Sequence, residues 1–392
     1  MMEKQHLLQE FYKRFGRIGE GARVFFTPGR VNLIGEYTDF NGGHVFPASL
    51  SVGTWAVARL RKDGVYHFQS TNFDTTAQTA VDSIVYKKED DWANYPKGVL
   101  VELLELAGDE EARYTGADIM FHGNIPNGAG LSSSASIEVL TGLALSELAG
   151  CQVDKVELAK LSQRAENKFV GVNCGIMDQF AVAMGKAGHA IMLKCDTLEY
   201  QYAPVELDGY TIVITNTNKR RGLADSKYNE RRAECESGLA VLQQSMPEIK
   251  TLGDVSYDNW QLYKDTIKEE VVQKRVDHVI CENTRVLRAA EALKNHDVAL
   301  FGKLMKQSHE SLRDLFEVTG TELDVMYEEA CKVDGCIGTR MTGAGFGGCN
   351  VSVVKNEAVA RFQEEVAKHY EERTGLVPEF YLCDIGDGAK EI

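Results

Sequence analysis

Residues 123–136 read GNIPNGAGLSSSAS, and Ile137, Leu140, Ala144 and Leu148 follow at helical spacing. A glycine-bearing loop that runs into a serine-rich helix start constrains the fold more than any other stretch. Its uncapped N–H groups and the positive end of the helix dipole make an anion site, above all for phosphate. The serine hydroxyls add donors, or a ligand for Mg²⁺. The spacing resembles G-x-x-x-x-G, but Ala129 stands where a Walker A loop needs Lys, so this is a different loop. Taken alone, the stretch is equally readable as a capped helix with small residues at its start.

Thirteen of the 36 glycines fall in four windows, 29–43, 123–130, 171–175 and 343–348. Such segments let bare backbone approach a ligand, which suggests one site assembled from distant parts of the chain. Gly343, Gly345 and Gly348 satisfy G-x-G-x-x-G, but β-rich Cys349–Val354 follows where a dinucleotide fold needs a helix. That segment is read as a tight turn between two elements, with or without a ligand beside it. In residues 28–47, PGRVNLIGEYTDFNGGHVFP, Arg30, Glu36 and Asp39 share one loop. Carboxylates there would accept the hydroxyl protons of a neutral polyol; the alternative is a solvated polar loop. In NCGIMDQF, residues 173–180, Asp178 lies among apolar side chains. Its charge needs a cationic partner, in a site or in a buried structural pair.

Charge excludes several partners. Lys and Arg number 43 against 58 Asp and Glu, a net charge of −15, whereas nucleic acid and anionic bilayers call for a basic surface. Neither partner is expected. Lys219, Arg220 and Arg221 are read as a solvated face. The nine cysteines contain no C-x-x-C pair, and neither they nor His44 have metal-ligand spacing, so no disulfide framework or structural zinc site is expected. Met1–Glu10 is polar where a signal peptide is apolar, and no run of about 18 apolar residues occurs. The expectation is a cytoplasmic protein; the oligomeric state is not readable, and a monomer is compatible with everything above.

Hydrophobic periodicity predicts an opening helix through Leu7, Leu8, Phe11 and Phe15, and further helices over 94–106, 133–149, 155–169, 227–244 and much of 271–319. In the last, Glu282, Arg285, Arg288 and Glu291 are assigned to a polar face. Strands are predicted at 24–27, 53–61, 65–70, 117–121, 190–193, 210–215, 351–354 and 379–383. Without regular β-α-β-α alternation the class is α+β, not a doubly wound parallel sheet. At 392 residues two or three domains are expected. A boundary in the polar segment 200–208 divides the chain into 1–205 and 206–392.

Taken together and in order, these segments resemble the galacto-, homoserine, mevalonate and phosphomevalonate kinase superfamily, and within it the galactokinases. PGRVNLIGEYTDFNGG resembles the sugar motif, GNIPNGAGLSSSAS the ATP loop and MTGAGFGGCNVSVV the third motif; GVNCGIMDQF and SKYNERR are similar to further galactokinase stretches. The resemblance implies a two-domain kinase fold with its site in the cleft between the domains. It implies transfer of the γ-phosphoryl group of ATP, with Mg²⁺, to the anomeric hydroxyl of galactose. By the same resemblance Asp178 is the catalytic carboxylate and Arg30 its cation. Glu36, Tyr37, Thr38, Asp39 and Tyr228 fall on sugar-binding positions. Gly128, Ala129, Gly130, Leu131, Ser132, Ser133 and Ser134 fall on the ATP loop, and Ser134 and Glu166 on positions around Mg²⁺. Ser70 aligns, more loosely, with a nucleotide contact.

One departure bears on specificity. Galactokinases commonly read EHTDY where this chain has Glu36-Tyr37-Thr38-Asp39-Phe40. A phenol in place of a ring nitrogen can still donate to or accept from a sugar hydroxyl, so the change touches recognition at one hydroxyl, not the reaction. An N-acetylgalactosamine kinase shares most of these motifs and differs in the space left around C2 of the sugar. A non-catalytic galactose sensor would lose residues of the serine run, which is intact here.

Overall fold

The structure is a computed structural model that describes residues 2–17, 21–108, 113–126, 129–219 and 224–392. The first half runs α1 (Met2–Phe15), β1 (Arg23–Asn32), β2 (His44–Val45), β3 (Pro47–Leu60), β4 (Val65–Ser70), β5 (Ala77–Ala80), α2 (Asn94–Ala107), β6 (Ala117–Gly123), α3 (Ser133–Ala149), α4 (Lys155–Ala165), α5 (Met177–Met184), β7 (His189–Lys194) and β8 (Tyr200–Pro204). The second runs β9 (Tyr210–Asn216), α6 (Ala224–Leu242), α7 (Tyr257–Tyr263), α8 (Glu270–Lys294), α9 (Val298–Ser311), α10 (Thr321–Lys332), β10 (Cys336–Thr342), β11 (Cys349–Lys355), α11 (Val359–Thr374), β12 (Glu379–Leu382) and β13 (Lys390–Glu391).

The described strands form three sheets. A six-stranded sheet has the order β13-β1-β3-β6-β4-β5, antiparallel except where β4 pairs with β6. A four-stranded antiparallel sheet has the order β10-β11-β9-β12, and a three-stranded one the order β2-β7-β8. The class is therefore α+β. One core packs α2, α3, α4 and α5 on the larger sheet through residues such as Phe25, Phe68, Leu100, Leu140, Leu161 and Phe180. Leu7 and Phe11 of α1 cover the opposite face with Val24 and Val57. α10 and α11 close one face of the four-stranded sheet through Met326 and Phe362.

The periodicity located most long elements and misjudged several limits. The 155–169 helix stops being α-helical at Ala165, and Glu166–Val170 form a π-turn. The helical stretch after Val271 divides into α8 and α9, and a second π-turn, Leu312–Phe316, follows. Glu282 is not on a polar face. It is fully buried in α8, where its Oε1 accepts from the Gly35 N–H (2.9 Å) and Ser308 Oγ and its Oε2 from Arg285 (2.6 Å). Leu287, an apolar residue of the same helix, is exposed. Within 200–208, residues 200–204 form β8 against β7. No described helix is long and apolar enough to cross a membrane.

Candidate active site

The site begins at an irregularity in β1. The ladder with β3 shifts register between Pro28 and Arg30, a device that re-aims a side chain. Beyond it, the Arg30 N–H donates to Leu131 O (3.1 Å) and Nη1 to Gly130 O (2.7 Å), which ties the strand to the serine-rich loop. The remaining nitrogens hold Asp178, in the first turn of α5: Nε to Oδ1 at 2.9 Å and Nη2 to Oδ2 at 3.0 Å. Such bidentate pairing fixes the carboxylate's plane as well as its charge. Arg30 is buried, whereas the Asp178 side chain keeps 30% of its surface, on the cavity side.

Ser132 supplies a third hydrogen bond to Asp178, Oγ to Oδ2 at 2.7 Å. This serine is the N-cap of α3, yet its φ of +62° lies in the left-handed region and its side chain does not cap the helix. The first N–H groups of α3 are thus left without a side-chain acceptor, the condition for an anion site. Ala129 and Leu131 are buried, Ser133 is exposed, and Ser134 is half-buried at the cavity wall. Gly128 lies outside the described residues, as do Arg220 and Arg221 of the basic cluster.

A cavity of about 790 Å³ joins these groups. Arg30, Glu36, Tyr37, Asp39, Ser134, Glu166, Asp178 and Tyr228, which the sequence distributes over almost 200 positions, line the same space. Thr38 does not: it is buried, with its hydroxyl 2.9 Å from Gly35 O and 2.6 Å from His44 O, and supports the loop from behind. Ser70 is also elsewhere. It ends β4, where its Oγ accepts from the Asn72 N–H (3.0 Å).

The loop after β1 is held by Gly343 and by two residues, Asn32 and Arg340, that were not singled out in the sequence. Glu36 is buried, with Oε1 accepting from the Gly343 N–H (2.6 Å) and Oε2 from Asn32 Nδ2 and from Arg340 Nη2 (2.8 Å). Arg340, in β10, is fully buried and also donates to Asn32 O (2.9 Å). A lone arginine in the otherwise uncharged run CIGTRMT, just before the third glycine segment, was the available signal. Tyr37 has a left-handed backbone, with φ +67°. Its hydroxyl donates to Ala344 O (2.6 Å), so the phenol at the departure from EHTDY ties the sugar-motif loop to the third glycine segment. Its ring packs on Phe316 and Tyr228, with centroids 4.5 and 5.4 Å away. Phe316 closes the second π-turn. Gly345 needs to be glycine: its φ is +72°, and a Cβ would lie 2.1 Å from Val318 O.

Burial sets the electrostatics. Asp39 is pushed up to about 6, with burial dominant, the Phe40 N–H opposing, and Asp178 and Glu36 adding to the rise. Gly175 packs against it so closely that a Cβ there would sit 1.9 Å from Asp39 Oδ2. Glu166 opens the first π-turn and is pushed up to about 7, by burial and then by Asp178. Gln179 Nε2 donates to Glu166 Oε2 (2.6 Å) and Cys174 Sγ lies 3.4 Å from the same oxygen. Burial, followed by Asp39, keeps the Tyr228 phenol well above its ordinary range and therefore neutral. The chemistry available is a fixed carboxylate beside a guanidinium, an uncapped helix start, and a polar pocket with acidic acceptors. This suits transfer of a phosphoryl group to a hydroxyl.

Known proteins share this sequence and fold. The pattern described as GHMP kinases N terminal domain matches residues 94–186, that of the galactokinase galactose-binding signature residues 9–60, and GHMP kinases C terminal residues 289–372. The chain is 51% identical over 390 residues to the galactokinase of Halalkalibacterium halodurans, covering 99% of this chain and 98% of that one. It is 50% identical over 375 residues to that of Bacillus subtilis, covering 95% of each. The crystal structure of Lactococcus lactis galactokinase complexed with galactose superposes with a TM-score of 0.94 at 43% identity, covering 99% of both chains. A Methanococcus jannaschii mevalonate kinase, 20% identical, shares the fold with a TM-score of 0.65 over 94% of this chain and 99% of that one. With matches of this extent and identity along the whole length, the chain belongs to the galactokinase family of the GHMP kinases.

Proposed function

We propose that the chain phosphorylates the anomeric hydroxyl of D-galactose at the expense of ATP, giving galactose 1-phosphate and ADP, with Asp178 and Arg30 at the reacting centre. The observation that carries the reading is the Arg30–Asp178 pair at the wall of a cavity also lined by Asp39, Glu36 and Tyr228. The sugar hydroxyls meet Asp39, Tyr37 and Tyr228, with Glu36 and Thr38 holding their loop. The triphosphate lies along 128–134 at the start of α3, where N–H groups and serine hydroxyls donate to its oxygens. The sugar motif, the phosphate loop and Asp178 belong to residues 1–205 and the third glycine segment to 206–392, so both halves build the site.

Asp178 accepts three hydrogen bonds, two from Arg30 and one from Ser132, which fix the direction in which its carboxylate faces. It therefore orients the attacking hydroxyl and takes the proton late, as charge develops on that oxygen. A loose phosphoryl-transfer transition state needs no strong base. Arg30 offsets the negative charge that accumulates between donor and acceptor.

Mg²⁺ fits the donor set. Ser134 and Glu166 offer hard oxygen ligands at the cavity wall, and Mg²⁺ typically takes one or two carboxylates and completes its shell with water and substrate phosphates. The described residues hold no group of three or more His, Cys, Asp or Glu suited to a metal by itself, so the nucleotide would bring the remaining ligands. Bound there, the ion would neutralise charge on the β- and γ-phosphates.

ADP release across galactose, glucose, galactosamine, N-acetylgalactosamine and mevalonate tests the reading. Turnover is expected with galactose foremost. Faster turnover of N-acetylgalactosamine would reassign the sugar, and no turnover by folded protein that binds galactose would make it a sensor.

A further inference from the structure

Behind Glu166 lies a buried polar cluster that plays no part in the phosphoryl-transfer scheme. Glu138, on α3, and Gln179, the residue after Asp178, are both fully buried. Gln179 Nε2 donates one hydrogen bond to Glu166 Oε2 (2.6 Å) and one to Glu138 Oε2 (3.1 Å). Neither Gln179 Oε1 nor Glu138 Oε1 has a partner among the described residues. In this orientation the NH₂ group faces both carboxyl groups. One NH₂ group, with two hydrogens, thus allows two acidic side chains to sit side by side out of water.

The arrangement singles out Glu166. Its backbone opens a π-turn, so helical packing alone does not define where the side chain points. Gln179 holds one oxygen, while Ser134 stands beside the same carboxylate at the cavity wall. α3 therefore meets Glu166 through Ser134 and through Glu138, the latter both directly and by way of Gln179.

We propose that Gln179, anchored on Glu138, is a positioning residue for phosphoryl transfer: it fixes the Glu166 carboxylate at the cavity wall beside Ser134, where the cation of the nucleotide is met. The inference rests on the reading of Glu166 as a ligand of that cation. Groups that orient a metal-binding side chain commonly change metal affinity by about 10–100-fold when removed.

The test uses the full chain with Gln179→Met, which keeps the volume and removes both donors, and Gln179→Asn, which keeps a buried amide but falls a methylene short. Glu166→Gln is run in parallel. Two quantities are read: the Mg²⁺ concentration that half-saturates turnover, and the calorimetric affinity for a non-hydrolysable ATP analogue with Mg²⁺. Both are expected to weaken by about tenfold in the Gln179 variants, with the galactose KM within about twofold of the parent. If Glu166→Gln shifts the Mg²⁺ dependence and both Gln179 variants leave it unchanged, the positioning role is overturned while the reading of Glu166 stands. If Glu166→Gln also leaves it unchanged, that reading fails and the inference with it. Equal losses of galactose and Mg²⁺ binding in folded variants would mark a general packing role and overturn it too.

Discussion

Arg30, near the end of β1, and Asp178, in the first turn of α5, are joined by two hydrogen bonds of 2.9 and 3.0 Å. The buried guanidinium holds the more exposed carboxylate in place. Asp178→Asn keeps the shape and removes the proton acceptor, so kcat is expected to fall by about 10²-fold or more, with a smaller change in galactose KM. A coupled ADP assay measures this, with thermal melting to establish the fold. Near-normal turnover by the folded variant would remove Asp178 from the chemistry.

Asp39 gives the site a pH dependence. Its carboxyl is raised from 3.8 to about 6, so between those values the folded protein holds a proton that the unfolded chain has released. Stability of the unliganded protein from this group is therefore present below about pH 4 and is lost as pH rises through about 6. Sugar binding has the opposite sign, because accepting a hydroxyl proton requires the carboxylate. Galactose affinity is expected to weaken below about pH 6, by at most about tenfold per unit, and calorimetric titrations from about pH 8 to about pH 5 should show it. The same slope in Asp39→Asn would assign the dependence elsewhere.

Gly175 tests the placement of that carboxylate. A Cβ at this position would lie 1.9 Å from Asp39 Oδ2 and 3.1 Å from Asp39 Cβ, so Gly175→Ala must push Asp39 aside. Galactose KM is expected to rise by about tenfold or more, a displacement of order 1 Å being costly in such sites. KM for ATP should move far less, and steady-state kinetics with each substrate varied in turn separates the two. Equal shifts in both would show that the substitution disturbs the whole site.

Arg340→Met would strand the buried Glu36 without its cation. Breaking such a pair from one side costs about 3–5 kcal/mol, to be measured by urea unfolding. Adding Glu36→Gln to Arg340→Met should recover part of this, since the uncompensated charge is then gone. A double variant no more stable than the single one would show that the hydrogen bonds to Asn32, not the ion pair, carry the cost.

How much of this was readable from the chain depends on the scale of each interaction. α1 and β4 announced themselves because burial of one face imposes a local period. Residue type and grouping marked the carboxylates and Ser134, which line one cavity. Thr38 and Ser70 were not: a hydroxyl looks the same in sequence whether it faces a ligand or its own backbone, and here both bond to nearby main-chain groups. Glu282 looked solvated because helical spacing says nothing about the loop that packs across it. The Gly35 N–H, 247 residues away, is the group it serves. Arg340 and Gln179 escaped for the same reason, since their partners come from distant segments.

The two π-turns carry one more consequence. Glu166 begins one and Phe316, which supports Tyr37, ends the other. Each turn contains one residue more than the α-turn it replaces, so excising a single residue would let the coil relax to ordinary helix and re-aim the side chains within the turn. At 166–170 and 312–316 the number of residues is thus constrained more tightly than most of their identities. Substitutions there can be absorbed, whereas one-residue deletions should swing the functional side chain out of the cavity or off its partner in an otherwise intact fold.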